Sequence, residues 1–278
     1  IDLAVYTGQN RLEIFAMRTA PIQINYLGFP GTSGADYFEY IIADKVIVPE
    51  DYQQYYSEKI FYLDVIFPID TKKVNVQSTF DRQYFNLPNN RFIFCCINND
   101  YKFNPIIFKS WMKILSKVND SLLYLRADSD YSKQNLRKEA VAQNINPDRL
   151  IFGEKLDYQM YIESLNLMDL FLDTYPFSGL SSSCDVLWAG LPILTLIGET
   201  YASRGSSTLL SSLKLNSLIT QSIHDYEELA IDLGNNPNKL KTLREKIINK
   251  SLLDLYNMNK YTEQIEDGYQ KIYNRCQL

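Results

Sequence analysis

From about residue 91 onward, short apolar runs alternate with stretches long enough for helices, and this alternation constrains the fold more than any other feature. The apolar runs are Phe92–Ile97, Leu122–Leu125, Leu150–Phe152, Leu170–Leu172, Ile193–Leu196 and Leu218–Ile219. Between them lie Pro105–Lys117, Ser132–Gln143, Asp157–Leu167, Ser182–Ala189 and Ala202–Leu213, and Trp111, Ile114 and Leu115 repeat at helical spacing in the first of these. Strands separated by helices of this length build βαβ units, so the expected fold class is α/β, with a Rossmann-like parallel sheet covered on both faces. Open sheets of this kind take ligands beyond the carboxyl ends of their strands.

One such end carries the most informative local sequence, DLFLDTYPFSGLSSSCDVLW over residues 169–188. A short apolar strand runs into a small-residue turn at Gly179, then into a helix that begins Ser181-Ser182-Ser183. Free N–H groups, hydroxyls and the positive end of the helix dipole converge there, which suits an anion such as a diphosphate. Asp185, one turn later, is either a carboxylate for a ribose hydroxyl or one favoured by the helix dipole. Three serines exceed what one helix cap needs, and on local grounds the cluster is either an anion site or a capped structural helix with surplus hydroxyls. A second strand end reads Asn98-Asn99-Asp100-Tyr101-Lys102, where the Lys102 ammonium can meet charge on a phosphate or stay solvated. Tyr158 and Tyr161 share a helix face and either pack on the sheet or offer a ring to a base.

Residues 1–69 read as the last portion of a separate α/β unit. A strand at Ile1–Val5, a helix at Asn10–Met17 and a strand at Ile22–Leu27 lead into the loop Gly28-Phe29-Pro30-Gly31-Thr32-Ser33-Gly34. That loop is a tight turn or a place where backbone N–H groups approach a ligand, but no Gly-Lys-Ser/Thr follows to make it a Walker loop. A helical turn near Asp36–Tyr40 and a strand at Ile41–Ala43 follow. Residues 70–90 read as a linker, 91–258 as the main lobe, and 259–278 as a terminal amphipathic helix carrying Ile265, Tyr269 and Ile272 on one side. The chain opens Ile1-Asp2 without an initiator Met, which predicts that it is the C-terminal part of something longer.

A net charge of -5 leaves no basic stripe for nucleic acid, and no apolar run approaches the ~20 residues of a membrane span. Cys95, Cys96, Cys184 and Cys276 form no CxxC pair and no metal-ligand spacing, as expected of a protein from a reducing cytoplasm with no metal site. The lone histidine, His224, sits at the start of the helical run Tyr226–Leu233 with nothing pocket-like around it. A dehydrogenase-type nucleotide domain lacks support, because no glycine fingerprint follows the first strand.

The collinear runs Phe15-Ala16-Met17-Arg18-Thr19-Ala20-Pro21-Ile22-Gln23, Leu27 to Ala35, Tyr56-Ser57-Glu58-Lys59, Tyr101-Lys102, Leu172-Asp173-Thr174, Asp185 to Pro192 and Gly198 to Arg204 resemble the catalytic region of the protein O-GlcNAc transferase (SPINDLY-like) family. The resemblance covers nearly the whole chain. It implies a GT-B glycosyltransferase: two Rossmann-like lobes, with a UDP-sugar in the cleft held mainly by the C-terminal lobe. It also implies inverting transfer of N-acetylglucosamine from UDP-GlcNAc to Ser/Thr hydroxyls of an acceptor protein, without a metal or a further cofactor, and tetratricopeptide repeats upstream.

Carried over by position, Lys102 would stabilise the leaving UDP phosphate, and Asn99 takes the place of a glutamine near the nucleotide. Ser181 and Ser182 stand where the family has paired threonines on the diphosphate, and Asp185 where an aspartate holds the ribose. Leu27, Gly28 and Pro30, from the acceptor-side lobe, would lie against the sugar. Three departures are visible: Leu180-Ser181-Ser182 replaces His-Thr-Thr, Tyr161 replaces a histidine that stacks on uracil, and Thr19 replaces a proline. The lost histidines keep a second expectation open, a non-catalytic relative that binds nucleotide or protein partners.

Overall fold

The structure is a computed structural model that describes residues 1–69, 80–248 and 254–276. Its larger sheet comprises β4 (Ile93–Cys96), β5 (Leu122–Leu125), β6 (Leu150–Phe152), β7 (Leu170–Leu172), β8 (Ile193–Leu196) and β9 (Ile219–Thr220). All neighbours are parallel, in the order β6-β5-β4-β7-β8-β9. Every residue of β4, β7 and β8 is buried, as parallel strands covered on both faces require. Cys95 and Cys96 lie inside this core with the apolar residues around them.

Helices cover the sheet: α2 (Pro105–Lys117), α3 (Asp130–Ala142), α4 (Tyr158–Asn166), α5 (Ser181–Trp188), α6 (Gly205–Ser212), α7 (Ile223–Asn235) and α8 (Pro237–Ile248). Asn104 caps α2 by accepting from the Ile106 and Ile107 amides, and Pro105 supplies the preset first position. Trp111, buried on that helix, donates to the Tyr226 hydroxyl, which donates to the Asp173 carbonyl at the end of β7. That relay ties α2, α7 and the central strands together.

The smaller sheet is also parallel, with β1 (Ile24–Asn25), β2 (Tyr40–Ala43) and β3 (Lys59–Tyr62) in sequential order. Here several expectations fail. The strand expected at Ile1–Val5 is a single bridge from Asp2 to Asn25, because Val5 turns to φ 46°. The expected helix Asn10–Met17 contracts to α1 (Leu12–Ala16), between Gln9 and Arg18, both at positive φ. Leu27, at φ 90°, ends β1 early, and residues 36–40 hold a turn and a strand end but no helix. β3 and α8 were not anticipated; the expected helix Ala202–Leu213 divides into a 3₁₀ turn at Tyr201–Ser203 and α6.

Residues 70–79 of the expected linker lie outside the described residues. Its remainder is docked: Arg82 donates to the Leu167 and Arg91 carbonyls and pairs with Asp169 at 2.8 Å. The terminal helix α9 (Met258–Cys276) returns to the smaller sheet, where Tyr261 and Tyr26 share a hydrogen bond of 2.6 Å. Among the described residues, no helix is long and apolar enough to cross a membrane.

Candidate functional site

In strand order the larger sheet reverses between β4 and β7. The chain leaves β4 toward β5 and β6 on one side, and leaves β7 toward β8 and β9 on the other. A crevice opens at the carboxyl ends of strands that diverge in this way. It is present as a cavity of about 900 Å³. The loop after β4 contributes Asn98, Asn99 and Lys102; α4 contributes Tyr158 and Tyr161; the start of α5 contributes Ser181, Ser182 and Asp185. Arg126, Lys133 and Lys155 line the cavity as well.

The turn between β7 and α5 is organised from beneath by Asp173, a fully enclosed carboxylate. It accepts from the Gly179 and Thr174 amides at 2.8 and 2.9 Å, from the Thr195 hydroxyl at 2.8 Å and from Asn98 at 3.1 Å. Burial raises its pKa, and the hydrogen bonds together with the Lys102 charge act against that rise. Gly179 packs so tightly over Ser183 that a Cβ there would overlap the Ser183 hydroxyl. α5 then starts at Ser181 without any side-chain cap on its first amides. Those amides and the helix dipole face the cavity, a ready anion site.

Lys102 reaches this turn from the loop after β4. Its Nζ donates to the Ser178 carbonyl at 2.9 Å and lies 3.8 Å from the centre of the Phe177 ring. Desolvation lowers its pKa from the usual lysine value, while the Asp173 charge works the other way. An ammonium has three protons, so a carbonyl and a ring face leave it able to meet a further anion. Tyr161 is half-buried, and burial, with the Asp185 charge behind it, raises its phenol far above the ordinary tyrosine value. It therefore stays a neutral aromatic surface.

Lys102, Asn99, Tyr161, Ser181, Ser182 and Asp185 thus meet around one cavity. Ser182 does so with its proton already committed, donating to Asn98 Oδ1 at 2.6 Å. Ser183 is placed differently: it is buried, and its hydroxyl pairs with Ser206 at 2.8 Å, inside the packing between α5 and α6. Gly179 likewise serves the turn from within. Leu27, Gly28 and Pro30 do not line this cavity. They belong to the smaller sheet's loop, where a Cβ on Gly28 would overlap the Leu3 carbonyl oxygen.

Glu58 holds that loop. Its buried carboxylate accepts from Thr32 at 2.5 Å, the Ser33 amide at 2.7 Å, Ser57 at 3.1 Å and Asn25 at 3.1 Å. Burial alone would raise its pKa, but the hydrogen bonds from Thr32 and Ser33 outweigh it and leave the value below that of an ordinary glutamate. Sequence reasoning missed Asp173, Asn98 and Glu58 as organisers; for Asp173 the available signal was a carboxylate at the end of an apolar strand. It also missed the bond from the Tyr158 hydroxyl to Asp185 Oδ1, 2.7 Å long. His224 is exposed on the first turn of α7, away from the cavity lining. Among the described residues, no group of three His, Cys, Asp or Glu side chains could hold a metal ion.

Comparison with known proteins fits this geometry. The model of the family described as Glycosyl transferase family 41 matches residues 1–78 and 71–265. The chain is 35% identical over 282 residues to the Arabidopsis thaliana protein named "Probable UDP-N-acetylglucosamine--peptide N-acetylglucosaminyltransferase SEC", covering 99% of this chain and 29% of that protein. It superposes on a variant of the Thermobaculum terrenum O-GlcNAc transferase with a TM-score of 0.90 at 26% identity, over 99% of this chain and 53% of the other. Anabaena HepE, solved in complex with UDP and glucose, matches with a TM-score of 0.54 at 15% identity over 84% of this chain and 64% of its own, which shows the glycosyltransferase fold alone. The chain therefore spans less than a third of the curated relative and about half of the solved one. It belongs to glycosyl transferase family 41.

Proposed function

We propose that this chain supplies the donor-binding part of a glycosyltransferase that moves N-acetylglucosamine from UDP-GlcNAc to Ser/Thr hydroxyls of a protein. The observation that carries the proposal is the convergence of Lys102, the uncapped start of α5 and Asp185 on one cavity at the sheet's reversal point. The diphosphate would lie between the Lys102 ammonium and the amides and hydroxyl of Ser181. Asp185 would take the ribose, and Tyr161 would face the uracil. As the acceptor oxygen bonds to the anomeric carbon, with inversion, the bond to the β-phosphate oxygen breaks and negative charge builds on UDP. Lys102 and the helix end offset that charge without reorganising, which is usually the largest electrostatic contribution to such a step. No metal is needed in this scheme.

Residues 1–69 would complete the acceptor-side lobe, with the loop around Leu27, Gly28 and Pro30 against the sugar. Residues 91–258 would form the donor lobe and 259–278 the helix that ties it back, with tetratricopeptide repeats upstream to engage acceptors. The test is calorimetric titration of the full-length protein with UDP, together with intact-mass analysis of co-expressed acceptor proteins. Loss of UDP affinity in Asp185→Ala, and loss of a HexNAc increment in Lys102→Ala, are the expected results. Unchanged affinity in the first and unchanged modification in the second would remove the assignment. A nucleotide binder without turnover is the second reading, favoured by Leu180, whose apolar side chain packs on Gly205 where a histidine would offer a donor. UDP binding with no mass increment on any acceptor would select it.

A further inference from the structure

Thr174 ends the run Leu172-Asp173-Thr174 and is only 1% exposed. Its hydroxyl donates to the Phe177 carbonyl at 2.6 Å, closing the turn after β7. A carbonyl can only accept, so the hydroxyl proton is spent there and the lone pairs must meet a donor. Asn98 supplies it: Nδ2 donates to Thr174 Oγ1 at 2.8 Å and to Asp173 Oδ1 at 3.1 Å. With Nδ2 turned that way, Asn98 Oδ1 faces Ser182, which donates to it at 2.6 Å. The direction is thus fixed along the whole chain, from Ser182 through Asn98 and Thr174 to the Phe177 carbonyl.

That chain joins the two parts of the site that offer positive charge. Ser182 lies in the first turn of α5. Phe177 and Ser178 form the cradle of Lys102, the ring centre 3.8 Å from Nζ and the Ser178 carbonyl accepting from it at 2.9 Å. The carbonyl that Thr174 holds belongs to the peptide group between those two residues. Fixing it fixes the ring and the next carbonyl together, and with them the end of a flexible lysine stem. The turn is anchored separately at Tyr175, whose carbonyl accepts from Asn104, and at Ser178, whose amide donates to the Ala202 carbonyl at 2.9 Å. Its path therefore does not rest on the Thr174 hydroxyl alone. A charge held in place before the ligand arrives needs no reorganisation when it is used.

Resting on the nucleotide reading above, we infer that Thr174 is a positioning residue for Lys102. Its hydroxyl holds the ammonium at a fixed place relative to the start of α5, so that both address one diphosphate. Thr174 acts through Lys102 and on the phosphates, so its effect must vanish when either is removed.

The experiment compares UDP, which carries the charge a departing nucleotide develops, with uridine, which carries none. Dissociation constants are measured on the full-length protein, by calorimetry for UDP and by nuclear magnetic resonance titration for uridine. Thr174→Val removes the hydroxyl and keeps the shape; Thr174→Ser keeps the hydroxyl. The expected result is a loss of roughly fivefold for UDP in Thr174→Val, the scale of one hydrogen bond, with uridine unchanged. Thr174→Ser should bind UDP like the unaltered protein, and Thr174→Val should cause no further loss when added to Lys102→Gln. Equal losses for UDP and uridine would assign the hydroxyl to folding and overturn the inference. So would an unchanged UDP affinity, or an undiminished loss in the Lys102→Gln background. Should Thr174→Val not fold, Phe177→Leu decides, since it takes the ring from the cradle at a half-buried position. The same UDP-selective loss is expected there, and its absence overturns the inference. Failure of the unaltered protein to bind UDP at all would overturn the nucleotide reading itself, and this inference with it.

Discussion

Lys102 reaches the cavity held by a carbonyl oxygen and an aromatic face, with no carboxylate within bonding distance among the described residues. A partner of that kind positions the ammonium without neutralising it, so its charge remains available for a leaving phosphate. Lys102→Gln is expected to lower kcat of sugar transfer by about two to three orders of magnitude, the scale of losing one preorganised donor. KM for the donor should move far less, which a steady-state split of the two constants would test. Because burial lowers the Lys102 pKa, the proton is lost at a lower pH than from an exposed lysine. Turnover should therefore fall on the alkaline side before the ordinary lysine range of about 10.4, and Lys102→Arg should abolish that limb of the pH–rate profile. The two cavity serines separate differently. Ser182→Ala orphans Asn98 Oδ1 in a buried network and should cost about 1–3 kcal/mol in thermal unfolding. Ser181→Ala, exposed at the helix start, should leave stability within about 0.5 kcal/mol while weakening UDP binding. Residue types and spacing pointed to both serines equally. Only the position of Asn98 distinguishes them, and that contact spans 84 residues of chain.

Among the elements, the larger sheet was legible because its strands are buried on both faces and appear as uninterrupted apolar runs between helices. β4 to β8 fall within or on the runs read from sequence. The smaller sheet was not, because its chain path depends on Val5, Gln9, Arg18 and Leu27 at positive φ, a conformation their residue types do not announce. The loop after β1 illustrates the difference. Three glycines and a proline marked it as irregular, but what holds it is Glu58, more than twenty residues away, acting through donors from Thr32, Ser33, Ser57 and Asn25. Glu58→Gln should cost about 1–3 kcal/mol at neutral pH, since an amide can accept only part of that set. The acid dependence has a definite sign. The folded pKa lies below the unfolded one, so the stabilisation is complete above the ordinary value of about 4.3 and is lost as pH falls through the lower folded value. Urea unfolding between neutral pH and pH 3 should show the acid-side loss in the unaltered protein and a flatter profile in the variant.

At the scale of the whole molecule, the two sheets share one buried apolar core, and specific polar contacts add to it. Arg204 donates to the Val46 carbonyl from Nε and to the Gly198 carbonyl from Nη1, each at 2.6 Å, and its guanidinium lies over Tyr52. Thr208 on α6 donates to Asp44, a buried carboxylate that also accepts from the Val46 and Ile47 amides. α9 closes the arrangement from the other end through Tyr261 and Tyr26. The cavity takes all its lining from residue 97 onward, while the loop around Gly28 belongs to the smaller sheet. Nucleotide binding and sugar transfer should therefore depend unequally on this joint. Arg204→Lys keeps the charge but cannot bridge two carbonyls in a fixed plane. UDP affinity is expected to stay within about twofold, a change of less than 0.5 kcal/mol. Transfer to an acceptor should fall by at least tenfold, because the sugar-facing loop would lose its register with the diphosphate-binding helix. Calorimetry with UDP beside a transfer assay on the same protein reads both quantities. Equal losses in the two would place Arg204 in nucleotide binding instead, and two unchanged values would mean that the remaining contacts, Thr208 to Asp44 and Tyr261 to Tyr26 among them, keep the sheets in register.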